Sequence, residues 1–205
     1  MICEVPYTSG GIHLCPILPV AFKSSSSAIR VLGIVDSGAD NILVPYLVGV
    51  QLGLHSPDAS EKLSISGGIG GTLSHVLRDC ELHLENNTTK KRYEFNAQVH
   101  WIYPDPKRAE RKSKLENQIV TLRQRAMTLT SNTPMSEKIR TQFTQAKQEL
   151  QSIDALLNPP LLLGRSFFDF FEEITFSHGC TTDPNRRCFT YKVRPDAPAR
   201  IIPLP

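Results

Sequence analysis

The spacing of hydrophobic positions changes twice along the chain. Ile12 to Phe22 is apolar and partly alternating, Ser24 to Ser27 is polar, and Ala28 to Val35 is again apolar and β-branched. Apolar runs separated by a polar turn predict paired strands. Thr72 to Leu84 and Tyr93 to Tyr103 predict a second pair, with Glu85-Asn86-Asn87-Thr88-Thr89-Lys90-Lys91 as the exposed connection. Gly67-Gly68-Ile69-Gly70-Gly71 marks a turn between short apolar stretches. These features are antiparallel in character and lack the interleaved helices of a parallel sheet.

From Asp105 the period lengthens. Leu115, Ile119, Leu122, Ala126 and Leu129 form one heptad-like stripe, and Ile139, Phe143, Ala146, Leu150, Ile153 and Leu157 form another. Asp105-Pro106 and Thr133-Pro134 each offer a capping side chain followed by a proline suited to the first helical turn. Asn158-Pro159-Pro160 ends the second stripe. Two helices of about 24 residues, each about 36 Å long, follow at 1.5 Å per residue. Equal lengths and a short link predict an antiparallel hairpin whose two stripes cover each other. The β pattern then resumes. Leu161-Leu162-Leu163-Gly164 predicts a buried strand, Arg165 to Glu173 a short helix, and Ile174 to Ser177 with Cys188 to Val193 a terminal hairpin. The chain therefore reads as one β domain over 1–205, interrupted by a helical insertion at 105–158.

Composition narrows the classes without pointing to one. Hydrophobic residues are 40% and charged residues 21% of the 205, ordinary values for a globular chain. No run approaches the roughly 18 apolar residues needed to cross a bilayer, so no membrane association is expected. The opening residues have no basic stretch followed by an apolar one, so no secretory leader is expected. Five cysteines are an odd number and too few for a disulfide scaffold, which suggests a reducing, cytoplasmic setting. The net charge of +3 comes from the insertion, where ten Lys/Arg face six Asp/Glu between Asp105 and Asp154. Lys107, Arg108, Arg111, Lys112 and Lys114 read as a solvated helix face, and no nucleic-acid partner is expected.

The sharpest chemical feature is Gly33-Ile34-Val35-Asp36-Ser37-Gly38-Ala39-Asp40, in which an apolar strand delivers a carboxylate into a tight turn. Two such carboxylates side by side share one proton. The ionised one can then take a proton from water, and the protonated one can hydrogen-bond a scissile carbonyl. Ser37 and the turn amides can fix that geometry.

Three blocks in order give the chain a resemblance to the retropepsin-like aspartic proteases. They are the apolar-apolar-Asp-Ser-Gly-Ala-Asp block at Ile34 to Asp40, the glycine-rich Ser66 to Gly71, and Leu162-Leu163-Gly164-Arg165 followed by a short helix. The resemblance covers everything but the insertion, and the insertion suggests a cellular or bacterial member. It implies an all-β, retropepsin-like acid protease barrel carrying an antiparallel α-helical hairpin. It further implies that Asp36 is the catalytic aspartate, that Ser37 hydrogen-bonds across a two-fold axis, and that Gly38 permits the turn and accepts substrate backbone. Ala39 and Asp40 would border the substrate. Gly67, Gly68, Ile69, Gly70 and Gly71 would form a flap over it. Asp40 and Arg165 would pair to brace the loop, with Gly164 packed beneath. Ser166 stands where many relatives carry Asn or Asp.

One catalytic block per chain implies a two-fold homodimer that supplies Asp36 twice. The expected activity is aspartic-type endopeptidase cleavage of an extended polypeptide, with no metal and no organic cofactor. The rival is a catalytically silent peptide-binding or dimerisation module whose coiled coil is a docking arm. The His13/Cys15 and His178/Cys180 pairs supply metal-ligand types but lack a paired CxxC spacing. Cys180 and Cys188 would face each other on a terminal hairpin. Asn86-Asn87-Thr88 fits a glycosylation sequon but reads as a turn.

Overall fold

A computed structural model of the chain describes residues 3–6, 8–9, 14–68, 71–86, 89–128, 134–177 and 187–204. In chain order the elements begin with strands β1 (Cys3–Pro6), β2 (Thr8–Ser9), β3 (Leu14–Cys15), β4 (Ile17–Lys23), β5 (Ala28–Val35) and β6 (Ile42–Val44). Helix α1 (Tyr46–Gln51) precedes strands β7 (Ser64–Gly68), β8 (Gly71–Asn86) and β9 (Lys91–Ile102). Helices α2 (Pro106–Thr128) and α3 (Pro134–Leu157) follow. The chain closes with β10 (Leu161–Leu163), α4 (Arg165–Phe168), β11 (Phe171–Ser177), β12 (Cys188–Val193) and β13 (Arg200–Pro203). The protein is thus mostly β, with four helices among the described residues.

The chain divides into two compact units. The first comprises Met1–Lys62, Val76–Ile102 and Pro160–Pro205. Its main sheet runs β9-β6-β10-β5-β4-β8 and closes on itself through a β8–β9 pairing, giving a six-stranded barrel. The core follows from period-two burial. On β4, Leu18, Val20 and Phe22 point inward while Pro19 and Lys23 are exposed. Phe95, Ala97, Val99 and Trp101 do the same from β9. Helix α1 rests on this wall: Trp101 stacks on Tyr46 at 6.2 Å and donates from Nε1 to the Tyr46 carbonyl at 3.1 Å. A Cβ on Gly49 would stand 2.1 Å from Trp101 Nε1, so the ring requires glycine there.

The first unit also holds a sheet of order β1-β12-β11 and the two-stranded β2-β3 sheet. An aromatic cluster anchors β11. Phe171 packs edge-on against Phe167 at 4.8 Å and Tyr191 at 5.2 Å, and Phe170 stacks on Phe95 at 4.5 Å. This cluster corrects one expectation. The helix predicted from Arg165 to Glu173 stops at Phe168, because Phe171 and Glu173 pair with Val193 and Lys192 on β12.

Sheet polarity departs from the antiparallel reading at two places. Strand β10 pairs parallel with β5, and β6 pairs parallel with β9. Both parallel pairings involve a three-residue strand, β10 or β6. The pairings β4–β5 and β11–β12 are antiparallel as expected.

The second unit comprises Leu63–His75 and Tyr103–Pro159. It holds the antiparallel β7/β8 hairpin, with Ser64 opposite His75 and Gly68 opposite Gly71, together with α2 and α3. Leu115, Leu122, Ile139, Ala146, Ile153 and Leu157 are buried, as the two stripes require. Ala126 is exposed, so the α2 stripe is covered only over its first part, and Leu129 lies outside the described residues. Arg111 pairs with Glu149 at 2.6 Å and Lys112 with Asp154, joining the start of α2 to the end of α3.

Candidate active site

The site is built where β5 ends. Strand β10 lies between β5 and β6, parallel to the first and antiparallel to the second. Leu163 is therefore opposite Val35 on one side and Ile42 on the other. The chain from Asp36 to Asn41 must pass over the end of β10 to connect them. Its course is fixed by backbone hydrogen bonds. The Asp36 amide donates to the Leu163 carbonyl at 3.1 Å and the Ala39 amide to the Asp36 carbonyl at 3.3 Å. From the far side, the Arg165 amide donates to the Ala39 carbonyl at 2.8 Å and the Ser166 amide to the Asp40 carbonyl at 2.9 Å.

Gly164 makes this strapping possible. It is buried, and a Cβ there would lie 2.4 Å from the Asn41 carbonyl oxygen and 2.6 Å from that of Ala39. Both obstacles are backbone atoms already held by the surrounding sheet. The apolar-apolar-Gly block therefore packs directly beneath the Asp36 loop. Ser166 also has a defined role: its Oγ accepts a hydrogen bond from the Ile42 amide at 3.0 Å.

Within the loop, the Gly38 amide donates to Asp36 Oδ1 at 2.8 Å. That bond sets the rotation of the carboxylate. Asp36 and Ala39 are half-buried, while Ser37, Gly38 and Asp40 are exposed, so the carboxylate sits at the surface end of the strand. Asp40 and Arg165 form the expected ion pair. Both side chains are 68% exposed, which limits the pair to at most about 1 kcal/mol. The three hydrogen bonds from the Arg165, Ser166 and Ile42 amides, each worth about 0.5–1.5 kcal/mol, carry more of the bracing.

The structure thus brings together Asp36, Ser37, Gly38, Ala39, Asp40, Gly164 and Arg165 in the first unit. Gly67, Gly68 and Gly71 belong to the β7/β8 hairpin of the second unit, and Ile69 and Gly70 lie outside the described residues. Gly67 has open space around it: a Cβ at that position would meet nothing within 4 Å. The accepting role of Ser166 and the part played by the Asn41 backbone are what sequence reasoning missed, since a serine and a backbone carbonyl carry no motif.

The base of that hairpin carries a titratable group. His75 is buried, and its Nδ1 lies 3.4 Å from Ser66 Oγ. Burial holds its pKa below the ordinary 6.5, against an opposing pull from a hydrogen bond with the Leu73 backbone. The unfolded chain therefore takes up this proton at a higher pH than the folded one does. The resulting stability is fully present above about pH 6.5 and is lost as pH falls through the folded pKa. Melting curves between pH 7.5 and 5 should show a destabilisation that His75→Gln reduces. Identical pH dependence in the two proteins would contradict this.

Other chemistry-bearing groups of the first unit have structural explanations. Glu81, His83 and Glu94 place one ligand-type atom each within 4.8 Å of one another. Lys23 already pairs with Glu81 at 3.3 Å, and Arg92 with Glu94 at 2.9 Å, so an ion-pair network accounts for the cluster. Cys80 is buried, and burial, followed by the charges of Asp79 and Glu81, pushes its thiol up to about 12. Native Cys80 should resist iodoacetamide at pH 8 and react only after unfolding, as peptide mapping would show. Modification at the rate of a free thiol would contradict its burial. His13, Cys180, His178 and the last two residues of the sequon, Asn87 and Thr88, lie outside the described residues, and Cys188 is buried on β12. No helix among the described residues is long and apolar enough to cross a membrane.

No protein family, curated protein or solved structure compared with the chain matches it.

Proposed function

We propose that this protein is a retropepsin-like aspartic endopeptidase that acts as a homodimer. The observation that carries the proposal is the Asp36 loop. A strand-end carboxylate, oriented by the Gly38 amide, sits in a turn strapped across β10 with Gly164 and Arg165 beneath it. The sequence resemblance implies this relation between its first and third blocks, which are more than 120 residues apart in the chain.

In the dimer each chain contributes Asp36, and the two carboxylates share a proton. The ionised one takes a proton from the attacking water. The protonated one hydrogen-bonds the peptide carbonyl as its oxygen gains charge. Ser37 interlocks the two loops across the two-fold axis. The substrate lies extended and hydrogen-bonds through its backbone, with Gly38, Ala39 and Asp40 along one side. The β7/β8 hairpin, with its glycine-rich end, is the flap that excludes water once the peptide is bound. The chemistry requires neither metal nor organic cofactor, and the reducing cytoplasm is the proposed setting. Helices α2 and α3 form an antiparallel hairpin, supported by the ion pairs that join the start of one to the end of the other.

Mass-spectrometric analysis of a peptide library, incubated across pH 4 to 8 with wild type and with Asp36→Asn, tests the proposal. Cleavage by the wild type alone is expected. No cleavage by a wild-type sample shown to be dimeric would favour the silent binding module instead.

A further inference from the structure

The flap hairpin and the inserted helices belong to the same compact unit, although 27 residues, 76–102, separate them in sequence. Two hydrogen bonds join them. The Tyr103 amide donates to the Ser74 carbonyl at 3.1 Å, where the chain leaves β9 for α2. Within the first turn of α2, Arg108 Nη2 donates to the Thr72 carbonyl at 3.0 Å. Thr72 is opposite Gly67 in the hairpin register, one pair below Gly68–Gly71. The guanidinium therefore grips the hairpin close to its glycine-rich end rather than at its base.

Arg108 is itself held in place. Its amide donates the capping bond of α2 to Asp105 Oδ1 at 3.0 Å, and its Nε lies 3.5 Å from Asp105 Oδ2. Asp105 thus caps the helix and orients the side chain that reaches Thr72. The next residues along α2 tie it to α3, through Arg111–Glu149 and Lys112–Asp154. A continuous series of bonds runs from the hairpin carbonyl through Arg108 and the α2 cap to the paired helices.

From this we infer that Arg108 is a positioning residue for the flap, and that the inserted helices and the flap move as one lever. Resting on the aspartic-protease reading for its functional meaning, the inference gives the insertion a part in that site. A partner or restraint that acts on α2 and α3 therefore acts on the hairpin as well. Of the basic residues in the first turns of α2, Arg108 is bonded to the hairpin, and Arg111 and Lys112 are paired with α3.

The test compares Arg108→Met and Arg108→Lys with wild type by hydrogen exchange, a readout that requires no enzymatic activity. Arg108→Met should speed exchange at residues 64–68 and 71–75 by about five- to tenfold, the loss of one exposed hydrogen bond of ordinary net strength. Exchange in β4, β5 and β9 should not change, and Arg108→Lys should restore part of the protection. In peptide cleavage, Arg108→Met should raise KM about threefold or more, with kcat changed less. Hairpin exchange that Arg108→Met leaves unaltered would overturn the inference. So would a rise shared equally by barrel and hairpin, which reports general destabilisation. If the exchange result holds while wild type and Asp36→Asn cleave nothing, the coupling stands and the protease reading fails.

Discussion

Asp36→Asn should reduce peptide cleavage by at least about 10²- to 10⁴-fold, the range lost with a positioned acid–base group. The amide keeps the shape of the carboxylate and can still accept the Gly38 N–H on its oxygen, a bond of 2.8 Å in the wild type. It cannot take a proton from water. The substitution therefore separates chemistry from architecture: melting temperature and dimer formation should be close to wild type while activity disappears. A variant that is inactive only because it is unfolded would give the same loss of cleavage, so circular dichroism must accompany the assay. Asp40→Asn is the matched control. It removes the Arg165 ion pair, but both partners are largely exposed, so the effect on stability should stay within about 1 kcal/mol.

The largest expected effect on stability is at Gly164. Gly164→Ala would push a methyl group against the Asn41 carbonyl at 2.4 Å, the Ala39 carbonyl at 2.6 Å and the Asn41 amide at 2.8 Å. None of these is the end of a flexible side chain. Either the Asp36 loop lifts from β10 or the strand shifts in the sheet. Overpacking of this kind costs about 1–3 kcal/mol or more. For a chain of this size that lowers the melting temperature by roughly 3–10 °C. Activity should fall with it, because the hydrogen bonds from Arg165 and Ser166 span the same contact. Gly67→Ala offers the contrast: a methyl group there meets nothing within 4 Å, so thermal stability should change little. Equal melting temperatures for Gly164→Ala and wild type would show that the loop is not packed as described.

How far the chain could be read in advance depended on whether the deciding contacts were local. The alternation on β4, the β-branched run of β5 and the abrupt Asp-Ser-Gly after it are local patterns, and the strands and turn appear where those patterns place them. The heptad stripes with their proline starts located α2 and α3 almost to the residue. Strand β6 was not legible. Its three residues are held by partners far away in sequence, Leu43 opposite Leu162 and His100, and no run that short declares itself. The parallel pairing of β10 with β5 was hidden for the same reason. Strand β13 escaped notice because its Pro203 and the prolines before it suggest a tail. Pairing on β9 at the sheet edge nevertheless tolerates a proline. For the site, the Asp36 block and the Leu-Leu-Gly-Arg block could each be found by eye. That one lies beneath the other is a tertiary fact, as are the parts played by Ser166 and Arg108.

Catalysis by paired carboxylates needs one Asp36 from each of two chains, and dimers of mixed composition test that requirement. Wild-type and Asp36→Asn chains are combined at equal concentration, allowed to exchange partners, and assayed for cleavage of a peptide that the wild type cuts. If each active site needs two intact aspartates, random pairing leaves about one quarter of the dimers competent. Activity then falls to about half of that given by the same wild-type chains alone. A chain that catalyses by itself would lose nothing when the inactive variant is added. Undiminished activity in a mixture shown to exchange subunits would contradict the paired-carboxylate account.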